Sequence, residues 1–387
     1  MNGKMKVLYD HQAFTMQYFG GVSKCFCELI KHRPADLKYD ISVITTGNEH
    51  LVKSGLKCDI KPLKLDYNHF AKRFPLLAKH RIYNFLNRVG FIHGAEFINK
   101  RESIKMLNSR DFDIFHATFF DDYFLSYIGK KPFVVTVHDM MPEIYPQFFP
   151  SPYPESLRKK SLCEKAAAVI AVSENTKKDL IRIMNIPESK IHVIYHGGPN
   201  IREIGTYAII NKPYFLYVGQ RDAYKNFERT LRDFSSFSCI YQNVYLVCTG
   251  KPFTAYEQSL VDSLRLRDKI IYYRPTDEEM LNLYAHAIAF IYPSLYEGFG
   301  MPILEAFACG CPVLLNSRSC FPEIAQDAAI YFESDGQNSN LADKFKLIYM
   351  MSKEERSKMI ERQKSRLRSF SWAQSSQKLY EIYYSIL

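Results

Sequence analysis

The sequence predicts an α/β protein in which two doubly wound, Rossmann-like domains face each other across a cleft. Short apolar runs rich in β-branched and aromatic residues alternate with amphipathic segments along nearly the whole chain, which is typical of βαβ units and a mostly parallel sheet. The chain has 387 residues, which is longer than a single hydrophobic core usually grows. The alternation pauses once, in a turn-rich stretch near residues 198–212, and then starts again. Two domains are therefore expected on either side of this stretch.

Twelve short segments are predicted to be strands, six in each domain. The first domain takes residues 6–10, 39–45, 114–116, 133–137, 169–172 and 191–195. The second takes residues 214–218, 244–248, 270–273, 289–292, 312–315 and 329–332. Because each segment is followed by a turn and then a helical pattern, the strands are expected to run parallel. We place the first domain at residues 1–203 and the second at residues 204–371.

Composition narrows the class of protein. Hydrophobic residues make up 47% and charged residues 24% of the chain, as in an ordinary globular protein. No run approaches the roughly 18 apolar residues of a spanning helix, and the N-terminus lacks the apolar region of a signal peptide, which favours a cytoplasmic location. The nine cysteines are scattered and their CxC pairs lack zinc-site spacing, so reduced thiols are expected. The net charge of +10 suggests an acidic partner.

The stretch PSLYEGFGMPILE, residues 293–305, holds two carboxylates around a glycine-containing turn. It follows a predicted strand, and ligands of open parallel sheets bind beyond the carboxyl ends of the strands. A helix is predicted from about residue 301 to 309, and its free first amides, approached through Gly298 and Gly300, suit a phosphate. Glu297 and Glu305 can each accept paired hydrogen bonds from adjacent sugar hydroxyls. The pattern alone also fits a surface glutamate and a helix-capping one.

Three other strand ends carry candidate residues. The stretch YVGQRDAYKNF places Arg221 and Lys225 after a strand, where cations can offset a diphosphate or simply be solvated. Gly20 and Gly21 open an amphipathic helix without the GxGxxG fingerprint of dinucleotide-binding dehydrogenases. His138 directly follows a buried strand, where an imidazole can donate a hydrogen bond to a reacting group. Weaker candidates at strand ends are His116, Glu174 and His196.

Residues 289–332 resemble, almost continuously, the C-terminal half of the group 1 glycosyltransferases of family four. Members of this family are retaining, nucleotide-sugar-dependent enzymes of the GT-B fold. The resemblance implies that Glu297 approaches the donor sugar as a catalytic residue and that Glu305 holds the ribose of the donor. It also implies that the backbone of the turn and of the first helical residues binds the donor, through Gly298, Phe299, Gly300, Met301, Pro302 and Ile303.

The resemblance extends to the other strand ends. Arg221 and Lys225 correspond to a basic motif that contacts the diphosphate, although the two cations are often one residue further apart in the family. The turn at Gly20 and Gly21 corresponds to a loop that closes on donor and acceptor, and His138 would lie beside the reacting sugar as a second catalytic residue. The segment 372–387, which contains the only tryptophan, resembles a C-terminal helix that crosses back to the first domain.

The identity of the donor stays open at this stage. The stretch YRPTDEEM stands where the family commonly has a glycine-containing turn that faces the base, so UDP, GDP and ADP are all compatible. GDP-mannose is favoured, because YVGQRDAYKNF resembles bacterial mannosyltransferases of polysaccharide assembly, and a UDP-sugar is the alternative. Two other classes also stay open, namely an inactive nucleotide- or carbohydrate-binding protein of the same fold and a phosphorylase or epimerase.

No metal or other cofactor is expected. Because attack and departure occur on the same face of the sugar, the donor phosphate itself can take the acceptor proton, while cations and helix amides neutralise the diphosphate. The DFD stretch at residues 111–113 precedes its strand, so it should lie at the wrong end of the sheet for a metal site.

Residues 71–110 carry nine lysines and arginines, two glutamates and interleaved aromatic residues. Such a basic amphipathic stretch can lie in the surface of an anionic bilayer, or it can be a core helix with a solvated basic face. Many members of the family extend lipid-linked oligosaccharides. We therefore expect a lipid-linked saccharide acceptor and peripheral binding to the inner face of the cell membrane. Nucleic acid is not an expected partner, because no recognition motif accompanies the charge.

Overall fold

A computed structural model describes residues 5–61, 94–149, 154–199 and 207–387, and it contains two parallel six-stranded sheets. The first sheet has the spatial order β2-β1-β3-β4-β5-β6 and comprises β1 (Lys6–Tyr9), β2 (Lys38–Ile41), β3 (Ile114–Ala117), β4 (Phe133–Val137), β5 (Ala168–Ala171) and β6 (Ile191–Val193). The second has the order β12-β11-β10-β7-β8-β9 and comprises β7 (Tyr214–Tyr217), β8 (Tyr245–Cys248), β9 (Ile270–Tyr272), β10 (Ala289–Tyr292), β11 (Val313–Asn316) and β12 (Ile330–Phe332). The predicted two-domain α/β fold is confirmed. The predicted domain boundary at residues 203 and 204 lies outside the described residues.

Helices cover the faces of both sheets. In the first domain they are Gln12–Thr15, Gly21–Lys31, Glu49–Ser54, Ala95–Ser109, Met141–Ile144, Pro154–Lys165 and Glu174–Met184. In the second they are Phe227–Ser238, Ala255–Ser263, Asp277–His286, Met301–Ala308, Phe321–Ala325, Leu341–Tyr349 and Lys353–Leu367. Several begin at sequence-encoded caps, for example the helix Ala255–Ser263, where Thr254 and Glu257 form a reciprocal capping box. Within the described part of the chain, no helix combines the length and the apolar content needed to cross a bilayer.

The last helix, Trp372–Ser385, packs on the first domain, as predicted. Trp372, Leu379 and Tyr383 are buried in the same apolar cluster as Phe26 of the helix Gly21–Lys31. The hydroxyl of Ser376 donates a hydrogen bond to the carbonyl oxygen of Leu29 at 2.8 Å. The chain therefore ends in the domain in which it began, and the two domains are joined twice.

Sheet topology creates a crevice in the second domain. β7 lies between β8 and β10, so the connection after β7 leads to one side of the sheet and the connection after β10 to the other. Ligands of open α/β sheets bind at such a switch point, outside the carboxyl ends of the strands. The loops after β7 and β10 contain YVGQRDAYKNF and PSLYEGFGMPILE. The fold thus brings the two principal sequence motifs together.

The loop after β10 also contacts the first domain directly. The hydroxyl of Ser173 donates to the carbonyl oxygen of Gly298 at 2.6 Å, and the phenol of Tyr296 donates to Asp179 at 2.8 Å. A Cβ atom on Gly298 would lie 1.6 Å from the carbonyl oxygen of His138, so only glycine permits this approach of the two backbones. The loop that carries Glu297 is therefore held against the end of β4.

Candidate active site

Buried asparagines fix the loop that follows β10. The side-chain amide of Asn316 donates to the carbonyl oxygens of Ser294 and Ser334 at 3.3 and 3.0 Å, and that of Asn226 donates to Pro293 at 3.2 Å. These asparagines were not identified from the sequence, where the only signal is their position directly after a strand or within a strand-end motif. They satisfy loop carbonyls that would otherwise be buried without partners.

Glu297 and Lys225 form an ion pair at the crevice. The ammonium of Lys225 lies 2.5 Å from Oε1 of Glu297, and the two side chains are only 18% and 15% exposed. Burial acts to lower the pKa of Lys225, but the Glu297 carboxylate and Tyr224 together more than offset it, so the pKa lies above its ordinary value and the amine stays charged. The hydroxyl of Ser319 holds Glu297 by donating to its carbonyl oxygen at 2.6 Å. The structure thus joins the predicted sugar-binding carboxylate to a predicted diphosphate-binding cation.

Arg221 lies apart from this pair. Its guanidinium donates to the carboxylate of Glu257 at 2.7 Å and to the carbonyl oxygens of Thr249 and Pro252 at 3.1 and 3.0 Å. It also stacks over the ring of Phe253, 4.6 Å from the centroid, and the side chain is 4% exposed. The structure therefore shows Arg221 bracing the loop after β8, and its contact with a diphosphate stays a prediction.

The helix Met301–Ala308 begins at Gly300, which has a φ of 92°, a left-handed conformation that favours glycine. This start agrees with the predicted helix. Pro302 has no amide hydrogen, and the amide of Ile303 donates to the carbonyl oxygen of Gly300 at 2.9 Å. The amides that this first turn can offer an anion are therefore those of Gly300 and Met301, at the positive end of the helix dipole.

Glu305, one turn further along, contacts the first domain. Its Oε1 lies 3.3 Å from the ammonium of Lys24, which belongs to the helix Gly21–Lys31 that Gly20 and Gly21 open. A Cβ on Gly20 would overlap the side chain of Gln17, whereas a Cβ on Gly21 would meet nothing within 4 Å. Lys24 was not singled out from the sequence, because its partner is 281 residues away. The glycine turn and the predicted ribose-binding acid therefore face each other across the cleft.

His138 lies between the two domains, at the end of β4. Burial lowers its pKa to about 4, although Asp139 acts in the opposite direction, so the imidazole is neutral near pH 7. Its Nε2 has no hydrogen-bond partner in the described part of the chain. The buried ammonium of Lys159 supports the turn by donating to the carbonyl oxygen of Asp139 at 3.1 Å and to Glu143 at 3.0 Å. His138 is thus positioned firmly while one ring nitrogen is left to bind something else.

The three weaker candidates, His116, Glu174 and His196, make contacts that differ from those of the residues at the crevice. His116 is buried, and its Nε2 lies 2.8 Å from the hydroxyl of Thr136, while its Nδ1 contacts the hydroxyl of Tyr383. Glu174 begins the helix Glu174–Met184, where its amide donates to the carboxylate of Glu323. His196 lies beside Cys25.

The acidic residues at 111 and 113 ion-pair with Lys6 and Lys131 at the amino end of β3, away from the crevice, as predicted.

Two of the cavities in the described part of the chain lie beside His138. One has a volume of about 510 Å³ and lies between the domains, lined by His138, Asp139 and Tyr224 among others. The other has a volume of about 750 Å³ and lies in the first domain, where His11, Glu96, Lys100 and Arg158 contribute to its wall. Phe119, Phe120 and Glu155 line both cavities, so the second opens beside the first.

Two facing Rossmann-like domains with a helix amino end and an ion-paired carboxylate at the crevice define a protein of the GT-B architecture. The sequence profile described as "Glycosyl transferases group 1" matches residues 206–366, and the one described as "Glycosyltransferase Family 4" matches residues 19–197. The chain therefore belongs to the group 1 glycosyltransferases, and the resemblance stated from the motifs is confirmed.

Individual proteins agree with this assignment. The chain is 32% identical over 207 residues to the O-antigen chain mannosyltransferase RfbU of Salmonella typhimurium, a match that covers 53% of this chain and 58% of that protein. It is 26% identical over 327 residues to the O-antigen chain mannosyltransferase B of Escherichia coli, covering 76% of this chain and 84% of that protein. The crystal structure of Anabaena HepE in complex with UDP and glucose matches with a TM-score of 0.70 at 16% identity, over 98% of this chain and 100% of that one, which shows the same fold.

Proposed function

We propose that this glycosyltransferase is a retaining hexosyltransferase that moves mannose from GDP-mannose to an acceptor hydroxyl during assembly of a bacterial cell-surface polysaccharide. The observation that carries the proposal is the Lys225–Glu297 pair at the switch point, with His138 directly across the cleft. The relatives named as O-antigen mannosyltransferases support the sugar and the pathway class. A UDP-sugar is the alternative donor.

Each group has a defined task in this reaction. The ammonium of Lys225 and the amides of Gly300 and Met301 would stabilise the departing diphosphate, since fixed donors and cations act strongly in a site from which water is excluded. Glu297 would accept hydroxyls of the donor sugar, and neutral His138 would donate a hydrogen bond to it. An oxygen of the leaving phosphate would take the acceptor proton. None of these tasks uses a metal ion.

Glu305 would accept the two ribose hydroxyls of the nucleotide. In the structure this carboxylate is paired with Lys24, at 3.3 Å, and both side chains are partly exposed. The ribose would therefore exchange with an ammonium that belongs to the opposite domain. Lys24, released from Glu305, would lie within the cleft near the incoming phosphates.

The cavity in the first domain is the proposed acceptor site. Its charged and polar side chains suit a saccharide, and its apolar lining includes Met16 and Phe97, which are 54% and 47% exposed. A cavity lined by both kinds of side chain fits an acceptor that joins a saccharide to a lipid. The predicted membrane-binding stretch continues from here, although its residues 71–93 lie outside the described residues. Peripheral attachment to the cytoplasmic face of the membrane is part of the proposal.

The donor can be identified by thermal denaturation of the protein with GDP, UDP, ADP and their sugars. A ligand that binds only the folded protein raises the melting temperature, by an amount that grows with its concentration relative to Kd. GDP and GDP-mannose should give the largest increases, and slow release of GDP from GDP-mannose should follow. A larger increase of the melting temperature with UDP or a UDP-sugar would identify a UDP-sugar as the donor instead.

The same samples separate the other two classes. An inactive binding protein would be stabilised by the nucleotide sugar but would release no nucleotide when acceptor is added. A phosphorylase would require inorganic phosphate, and an epimerase would convert the donor sugar without any acceptor. Product analysis by mass spectrometry and by NMR of the anomeric proton distinguishes these outcomes and also reports whether the configuration is retained.

A further inference from the structure

Cys25, His138 and His196 bring three ligand atoms that metals favour to one buried point. One sulfur or nitrogen atom from each lies within 4.8 Å of the others, and within the described ranges no other three residues of His, Cys, Asp or Glu do so. Cys25 comes from the helix Gly21–Lys31, His138 follows β4 and His196 follows β6. The three therefore depend on the folded first domain and are absent as a group from the unfolded chain.

Aromatic rings enclose His196, and burial sets the protonation states of all three side chains. The ring of Phe299 lies 4.6 Å from that of His196, and the ring of Trp372 stacks on His196 at 5.6 Å. Burial lowers the pKa of His138 to about 4 and that of His196 to about 3, so both imidazoles are neutral and can act as ligands without losing a proton. Burial raises the pKa of the Cys25 thiol, so its proton leaves only when a cation replaces it.

The distances suit zinc after a small adjustment. Sγ of Cys25 lies 3.3 Å from Nδ1 of His196. Bonds of about 2.0 Å to nitrogen and 2.3 Å to sulfur place tetrahedral ligand atoms about 3.5 Å apart. The pair is thus already at ligand spacing, and a rotation of the His138 ring brings in the third atom. His138 lines the cleft cavity, and its buried Nε2 has no hydrogen-bond partner within the described residues, so this nitrogen is available to a cation.

We propose that Cys25, His138 and His196 form a site for a soft divalent cation such as Zn²⁺, and that its occupation inhibits glycosyl transfer by withdrawing His138 from the donor sugar. Binding breaks the S–H bond of Cys25, forms a metal–sulfur bond and releases one proton to solvent. The two imidazoles donate lone pairs, and the fourth position stays open toward the cleft. The inhibition rests on the proposed function, whereas the binding does not.

Binding is tested with Co²⁺, which reports a thiolate ligand by a charge-transfer absorption band in the near ultraviolet. Wild-type protein should develop this band at one equivalent of Co²⁺, and Zn²⁺ should abolish it. Cys25→Ser should remove the band. The matched control is Cys27→Ser, because Cys27 is buried on the same helix but belongs to no such group among the residues that the structure describes. Calorimetry with Zn²⁺ in two buffers of different ionisation enthalpy should show release of about one proton per ion at pH 7.

Inhibition is tested by transfer assays with the full chain at rising Zn²⁺. Since changes even to outer-shell partners cost about 10- to 100-fold in metal affinity, loss of the Cys25 ligand should raise the inhibitory zinc concentration by about tenfold or more. Cys27→Ser should match the wild type, and EDTA should restore activity in both. If Cys25→Ser does not fold, Cys25→Ala and His196→Asn serve the same purpose, with folding checked by nucleotide-induced thermal stabilisation.

The outcomes are distinct. Absence of a thiolate band in the wild-type protein, or an equal band in Cys25→Ser, overturns the metal site. A band without inhibition of an active enzyme overturns the inhibitory role alone. A protein that shows no transfer with any donor contradicts the proposed function, while the Co²⁺ titration still decides whether the site exists.

Discussion

Two lysines from different domains meet the two glutamates of the motif in the second domain. Lys225 pairs with Glu297 within that domain, whereas Lys24 reaches Glu305 from the first domain. The residue types at these positions could be predicted, because carboxylates and cations at strand ends suit a phosphorylated sugar. The pairing could not, because Lys225 and Lys24 are 72 and 281 residues from their partners and no local pattern encodes such contacts.

The two glutamates should affect nucleotide binding differently. Glu305→Ala removes the proposed ribose acceptor, so it should weaken binding of the bare nucleoside diphosphate by about 1.5–3 kcal/mol. Glu297→Ala should weaken use of the nucleotide sugar but leave the affinity for the bare nucleotide nearly unchanged. Isothermal titration with both ligands measures the difference. Equal losses of bare-nucleotide affinity in the two variants would contradict the assigned roles.

Replacement of the two cations of YVGQRDAYKNF should also have different effects, one on the rate of transfer and the other on stability. Lys225→Ala should lower kcat of transfer by roughly 100-fold, as expected when one group that stabilises developing charge is removed. Arg221→Ala should instead destabilise the fold by about 3 kcal/mol, because it removes the cation that pairs with the Glu257 carboxylate and the donor to the carbonyl oxygen of Thr249. Steady-state kinetics and urea denaturation of both variants test this. A folded, fully stable Arg221→Ala that cannot use the donor would restore Arg221 to the diphosphate site.

Transfer should proceed without a metal ion. In the proposed reaction, Lys225 and the helix amides neutralise the negative charge of the diphosphate. Within the residues described, neither Glu297 nor Glu305 belongs to a group that could hold a metal ion. Activity should therefore survive excess EDTA, and it should rise if the preparation contains inhibitory zinc. Loss of activity that only Mn²⁺ or Mg²⁺ restores would refute this expectation. The assay needs an untreated sample and a dialysed sample in parallel.

At the scale of elements, the contacts between the domains include a carboxylate that caps a helix of the other domain. The two oxygens of Glu323 accept hydrogen bonds from the amides of Glu174 and Asn175 at 2.7 and 3.0 Å. These are the first amides of the helix Glu174–Met184, which have no partner within their own helix. The cap lies beside the contact of Ser173 with Gly298, so the two domains meet at the base of the loop that carries Glu297.

Removal of this cap should loosen the contact between the two domains. Glu323→Ala should lower the melting temperature, since loss of a helix cap costs about 1 kcal/mol, and it should also reduce kcat/KM for the donor. The matched control is Glu355→Ala, which removes the capping box with Ser352 from the helix Lys353–Leu367, away from the cleft. Small-angle scattering should show a larger radius of gyration for Glu323→Ala only. Equal kinetic effects of both variants would show that the interface has no special role.

Elements were more predictable than contacts. Each predicted strand overlaps one in the structure, and the helix expected at residues 301–309 is observed at Met301–Ala308. The apolar runs of parallel strands and the Gly and Pro signals of helix ends are local patterns. Both can therefore be recognised in a single sequence. Glu323 and Asn316 were missed, since their partners lie in other elements. Cys25 was expected to be a reduced thiol like the other cysteines, but its two imidazole neighbours could not be predicted because they come from distant strand ends.

At the scale of the whole molecule, the membrane prediction concerns residues 71–110. Their described part, the helix Ala95–Ser109, has Lys100 paired with Asp121 and Lys105 beside Glu102. Some of its positive charge is therefore balanced within the protein. A net attraction to anionic lipid must come mainly from the basic residues between 71 and 93, together with exposed apolar residues such as Phe19 and Phe97.

Sedimentation with anionic liposomes should occur at low salt and decline as salt rises, because charge is screened within about 10 Å at 0.1 M. Replacement of four basic residues of the stretch by glutamate should abolish sedimentation but leave nucleotide binding intact. These residues are Lys72, Arg73, Lys79 and Arg81. The control makes the same charge change on the exposed face of the helix Lys353–Leu367: Lys353, Lys358, Arg362 and Lys364. Failure of the wild type to sediment at low salt would favour a soluble acceptor.

The attachment to the first domain of the loop that carries Glu297 limits how this molecule can be recombined with its relatives. Ser173 and Asp179, both in the first domain, hold the backbone of Gly298 and the phenol of Tyr296 in the second. A hybrid that joins this second domain to a foreign first domain inherits the loop without its anchors. Under the proposed function, exchange of donor preference between family members is therefore expected to require grafting of a patch that spans both halves of the chain, because the proposed site draws on both domains.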